Sequence, residues 1–244
     1  MRRYLELGYR IIRYNLKIIF AGKFIWFLLA SLAFFAFSMF QLVWNRGEIN
    51  EGAIYSMLLF PCLLLIFYPV VFGIQNDEDN RILEIIFGIP NYRYKVWGVR
   101  MLMVYVANFF ILIIFAYIAR VLLYPVNIVE MAVQLIFPML FFGNLAFMLS
   151  TITRSGNGTA VLMIIAGLFL SVFSGISVGG GGGQASGMSS SFWNVFLNPF
   201  SVPNNLHPMI WQDTIIKSRI FLVLGGIVFL MIGLLNLQKR ENFM

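Results

Sequence analysis

Six times in this chain an apolar run of eighteen to twenty-two residues passes without a single charge. The runs are Phe24 to Trp44, Ala53 to Ile74, Met101 to Ala119, Met131 to Ser150, Thr159 to Val178 and Ile220 to Leu237. At ~1.5 Å rise per residue, about 20 residues of helix cross the roughly 30 Å hydrocarbon layer of a bilayer. Backbone N–H and C=O groups find no partner in lipid, so such runs must close their hydrogen bonds internally, as helices. With 60% hydrophobic and 11% charged residues, the chain also lacks the polar surface that a soluble domain of 244 residues presents to water. The expectation is an all-α integral membrane protein, one transmembrane domain over residues 1–244 with six spans. The first apolar run has the length of a spanning helix and follows a long basic segment, so it is expected to stay as an anchor.

Charge placement orients these spans. If both termini lie in the cytoplasm, thirteen of the seventeen Lys and Arg fall inside, and only Arg46, Arg120, Lys217 and Arg219 fall outside. The inverse orientation reverses the ratio and contradicts the positive-inside bias. The net charge of +7 is thereby explained by topology, and no nucleic-acid partner is expected.

Two segments between or before the spans are amphipathic. Residues 1–23 place Arg3, Glu6, Arg10, Arg13 and Lys17 opposite Leu5, Tyr9, Ile12, Leu16 and Ile19, the pattern of a helix lying in the inner interface. It either anchors to anionic lipid or also docks a cytoplasmic partner. Residues 75–97 gather seven charged residues in a greasy chain, and as a helix from about Asp77 to Phe87 they set Asp77, Arg81 and Glu84 against Ile82, Ile85 and Ile86. This segment offers a charged face to something in the water.

Inside the spans the polar signals are sparse. Pro61 and Pro69 in the second span and Pro138 in the fourth each remove a backbone hydrogen bond. They mark either a translocation path or ordinary transmembrane proline usage. Asn108, Gln134 and Asn144 are candidates for interhelical hydrogen bonds or for pathway groups, and Cys62 for core packing. Arg100 and Arg120, at the ends of the third span, are expected to snorkel to headgroups. No span holds an ionisable group near its middle, which weakens a proton-coupled carrier.

Residues 179–217 form the longest expected external segment. Five glycines, Gly179 to Gly183, give way to a Ser/Gly stretch, then to Phe192, Trp193, Val195, Phe196, Leu197 and Phe200 among Pro199, Pro203 and Pro208. That apolar stretch is too short to span and reads as short re-entrant helices or as an interfacial aromatic anchor. The glycine run carries no lysine and is no phosphate loop. His207, the sole histidine, has neither a Cys/His/Asp cluster for metal nor a serine elbow for hydrolysis, so no catalytic or metal site is expected. Asn157-Gly158-Thr159 reads as a turn and a helix start.

These residues together resemble the membrane subunit of ABC-2 type (type V) ABC transporters. The resemblance rests on Glu78, Arg81, Glu84, Pro90 and Arg93, on Val96-Trp97-Gly98-Val99-Arg100, on Leu197-Asn198-Pro199-Phe200 with Ser218-Arg219-Ile220, and on the tail Lys239 to Phe243. Where many relatives carry Gly-Thr in the first motif, this chain has Arg81-Ile82. The resemblance implies a permease rather than an enzyme, in the cytoplasmic (inner) membrane. It also implies a coupling helix bearing Asp77, Glu78, Arg81, Glu84 and Arg93, two copies of a separate nucleotide-binding ATPase that holds ATP and Mg, and a second permease copy, identical or homologous. It implies a substrate path where the second and fifth spans face each other, with Phe60, Phe67, Met163, Phe169 and Phe173 as its candidate lining. A stand-alone carrier or channel, or a scaffold for a cytosolic protein, is the alternative.

Overall fold

The computed structural model describes residues 24–44, 49–75, 93–153, 155–178, 193–202 and 207–241, with side chains left aside at 93–95, 173–178 and 238–241. The amphipathic segment 1–23 and Asp77, Glu78, Arg81 and Glu84 lie outside these residues. Among the described residues there is no strand. The helices are α1 (Phe24–Trp44), α2 (Glu51–Val71), α3 (Val99–Leu122), α4 (Ile128–Thr153), α5 (Gly156–Val178) and α6 (Pro208–Glu241). A π-helical turn, Arg93–Gly98, leads into α3. Five of them are long and apolar enough to cross a membrane, while α5 contributes a shorter apolar stretch, Gly156–Val172.

Local chemistry sets the ends. Asn50 stands in extended backbone before α2, and its Oδ1 accepts from the Ala53 amide at 2.8 Å. This satisfies one of the amides that a helix start leaves without a partner. Replacing Asn50 with alanine should cost about 1 kcal/mol, read as a lower unfolding midpoint in detergent. Ser155 does the same for α5: its carbonyl takes the Thr159 amide at 2.9 Å and its Oγ the Gly158 amide at 3.4 Å. The helix start expected at Asn157-Gly158-Thr159 is present, beginning at Gly156. His207, exposed, precedes α6, where its carbonyl receives the amides of Ile210 and Trp211 and its Nδ1 that of Met209. Helix α6 thus starts twelve residues before the apolar run at Ile220, because Pro208 fits a first helical turn and nothing in Met209 to Arg219 breaks the helix.

Helices α2 and α4 form the centre, with α1, α3, α5 and α6 around them. Both central helices continue through their prolines, Pro61, Pro69 and Pro138. Two of the three sequence-flagged amides bind between helices: Tyr105 donates to Asn144 Oδ1 at 2.7 Å, joining α3 to α4, and Gln134 Oε1 accepts from Arg219 Nε at 2.9 Å, joining α4 to α6. Asn108 is buried on α3 with its Nδ2 unpartnered. Cys62 is buried on α2 and its Sγ lies 3.7 Å from the Leu135 carbonyl, a packing position. Small residues let α6 approach α4: the ring of Phe141 packs at Gly225 and that of Phe147 at Gly233.

Candidate functional site

On the flank of this bundle α1, α2 and α5 leave a groove of about 440 Å³. Its walls are Trp26, Phe27 and Ala30 from α1, Phe60, Leu63, Leu64 and Phe67 from α2, and Ile164 from α5. Every lining side chain is apolar. The α1–α2 wall is built by aromatic pairs, Phe34 against Phe60 with ring centres 4.3 Å apart and Phe27 against Phe67 at 6.3 Å. Offset ring contacts of this kind add about 0.5–1.5 kcal/mol each beyond the area they bury. They hold α1, most of whose surface faces outward, onto the centre. The outward face of α1 carries Ile25, Trp26, Leu29, Phe37, Phe40 and Trp44, and that of α5 Val161, Ile165, Leu168 and Phe169. Such surfaces suit hydrocarbon or another apolar helix face.

The sequence-selected path residues divide accordingly. Phe60 and Phe67 line the groove together. Met163 is buried in the core and is not part of the lining, and Phe169 is 60% exposed on the outer face of α5, also outside the lining. Phe173 falls where side chains are left aside. Trp26, Phe27 and Ile164 carried no sequence signal, since an aromatic or aliphatic residue on a greasy helix looks the same whether it faces lipid, core or groove.

At the far end of α2 a set of polar contacts binds the helices to one another. Gln75 Oε1 accepts from the Gly156 amide at 2.6 Å, Ser150 Oγ donates to the Val71 carbonyl at 3.1 Å, and Asn236 Nδ2 donates to the Thr151 carbonyl at 2.8 Å. The end of α2 is thereby tied to α4, the residues just after it to α5, and α4 to α6. Arg100 does not reach outward as expected from its place at the end of α3. It is buried, and its guanidinium lies 5.2 Å from the ring centre of Trp97. Stacking on an aromatic face replaces part of the hydration that the cation gives up. Arg93, the expected coupling residue within reach, opens the π-helical turn beside this cluster.

At the opposite end, residues 193–202 are a pair of turns and not the expected re-entrant helices. Asn194 Oδ1 accepts from the Phe196 amide at 2.9 Å and Asn198 Oδ1 from the Phe200 amide at 3.1 Å. An asparagine that captures the backbone two residues on competes with helix, and Pro199 cannot donate to one. The turns dock on the bundle: Asn198 Nδ2 donates to the Gly52 carbonyl at 2.7 Å, and Trp211 Nε1 to the Pro199 carbonyl at 3.2 Å. Phe142 stacks on Phe196 at 5.5 Å. Among the described residues no group of His, Cys, Asp and Glu could hold a metal ion. No known family, characterised protein or solved structure matches the chain.

Proposed function

We propose that this chain is the permease subunit of an ATP-driven transporter of the ABC-2 type, exporting an amphipathic or hydrophobic substrate. The observation that carries the reading is the double role of α2. It supplies Phe60 and Phe67 to the apolar groove, and the backbone that follows it runs through Gln75 into the charged segment with Asp77, Glu78, Arg81 and Glu84. Through the Gln75, Ser150 and Asn236 contacts, a push on that segment reaches α4, α5 and α6 without passing through flexible side chains alone.

In this reading the protein crosses the inner membrane six times, α5 included, with both termini in the cytoplasm. A second permease copy, the same or homologous, covers the outward apolar faces of α1 and α5. ATP and Mg reside on two copies of a separate ATPase, which grips the charged segment through charge-assisted hydrogen bonds. Rigid-body rocking of the two permeases then exposes the groove alternately to either side.

The test is copurification with the ATPase, followed by Arg81→Glu and Glu84→Arg. Each reversal should lower substrate-stimulated ATP turnover about tenfold, the factor that loss of one charge-assisted contact produces. ATP turnover in the assembled complex that ignores both reversals and the substrate would sink this reading in favour of a carrier working alone.

A further inference from the structure

Where the turns of 193–202 meet α2 and α6, Arg219 is only 6% exposed. Its contacts are neutral. Nε donates to Gln134 Oε1 at 2.9 Å, while Nη2 donates to the Leu197 carbonyl at 3.3 Å and to Tyr55 Oη at 3.4 Å. The ring of Phe137 lies 5.5 Å from the guanidinium carbon. Nη1 is buried with no hydrogen-bond partner. Asp213, six residues back on the same helix, is exposed and taken by Lys217 at 2.6 Å.

A guanidinium stays protonated at any physiological pH. With no carboxylate against it among the described residues, it is a charge left without compensation there, which proteins rarely keep unless something supplies the opposite sign. The unmet groups here are both donors. They are the N–H groups of Nη1 and the hydroxyl proton of Tyr55, whose oxygen accepts from Arg219 and which has no acceptor of its own among the described residues. The Leu197 carbonyl sits where a more strongly accepting oxygen would sit. Were it to leave, Nη1 and Nη2 would present the planar fork that matches a phosphate or carboxylate. Round α6 from this cation, Ile220 and Leu224 share an outward face and are more than half exposed, and Trp193 packs against Phe221. A buried cation at the edge of an outward apolar face can take a charged head while the greasy chain lies outside.

We propose that Arg219 and Tyr55 form a binding site for an oxoanion, the phosphate or carboxylate head of an amphiphile. The head exchanges with the Leu197 carbonyl as the 193–202 turns shift, and the chain lies along Ile220 and Leu224. The site is at the end of the bundle that charge placement assigns to the outside. It stands apart from the α1–α2–α5 groove and does not depend on an ATPase partner.

The full chain, purified in neutral detergent, is titrated with phosphatidylglycerol and with diacylglycerol, which carries the same chains and no phosphate, and bound lipid is counted by native mass spectrometry. Phosphatidylglycerol should bind about tenfold more tightly, the factor of one charge-assisted hydrogen bond. Arg219→Gln should erase the preference and Tyr55→Phe should reduce it severalfold, while Arg120→Gln, at an exposed cation, should leave it intact. Inorganic phosphate is the second arm. If phosphate binds in an Arg219-dependent way and the lipid preference is absent, the oxoanion site stands and its ligand is a free anion. Equal lipid preference in the parent and in Arg219→Gln overturns the proposal. If that variant does not fold, an unchanged preference in folded Tyr55→Phe overturns it alone.

Discussion

Phe67→Glu should abolish binding of apolar ligands in the groove between α1, α2 and α5. The groove has no polar lining group to receive a carboxylate, and the nearest walls are Phe27, Leu63 and Leu64. An ionised side chain there either draws water into the site or turns away and takes its ring contact with Phe27 with it. Charge at membrane depth costs about 2.5–3.5 kcal/mol even on the mildest scale, equivalent to roughly a hundredfold or more in a dissociation constant. The measurement is titration of the purified protein with a hydrophobic fluorescent dye whose emission rises in apolar surroundings. Phe67→Leu serves as the control and should bind within about threefold of the parent, since it keeps an apolar wall and removes only part of the ring area. Equal dye affinity in Phe67→Glu and the parent would show that the groove is not where such ligands go.

The second large effect is on folding. Gly143→Leu should destabilise the bundle by about 3 kcal/mol or more, the upper range of overpacking in a filled core. A β-carbon built at Gly143 would stand 2.7 Å from Tyr105 Oη and 2.8 Å from Ile66 Cδ1, inside contact distance on two sides at once. Tyr105 cannot simply swing away, because its hydroxyl donates to Asn144 at 2.7 Å and that bond joins α3 to α4. Leaving the Asn144 side chain buried without its partner adds a further penalty of about 1–3 kcal/mol. Stability is read from the detergent-to-SDS unfolding midpoint followed by helical signal. Gly167→Leu, where nothing lies within 4 Å of an added β-carbon, provides the comparison and should leave the midpoint nearly unchanged.

The helical class and the positions of the apolar helices were legible because uncharged runs of spanning length admit few other folds. Phe24 to Trp44 was read with the bounds that α1 has. Helix α6 was not, since counting apolar residues stops at Lys217 and Arg219, whereas helix capping at His207 and Pro208 decides where the backbone begins to turn. The same counting leaves Arg219 as an outside charge just before the sixth apolar run, with no sign that it is buried. Its burial depends on Tyr55 and Gln134, 164 and 85 residues away in sequence, and no local pattern encodes that meeting. Arg100 was misjudged for a similar reason: its partner Trp97 is close in sequence, but the cover over both comes from other helices. In 193–202 the apolar content suggested helix, and the two asparagines outweighed it by binding the backbone locally. Phe60 and Phe67 line a groove, whereas Met163, chosen for its flexibility, is buried and Phe169, chosen for its ring, faces outward, so residue type alone does not tell direction.

Helix α6 runs unbroken for 34 residues, about 51 Å at ~1.5 Å per residue. Trp211 near one end is bonded to the 193–202 turns and Asn236 near the other to the Thr151 carbonyl, points about 38 Å apart along the axis. Between them the helix rests on the rings of Phe141 and Phe147 at glycines 225 and 233. A stiff rod pinned near both tips and seated at its middle behaves as a lever arm. A tilt of about 5° about a point midway between the two glycines displaces the Trp211 end by roughly 2.4 Å and the Asn236 end by roughly 0.9 Å in opposite senses, the scale of helix shifts that switch subunit interfaces.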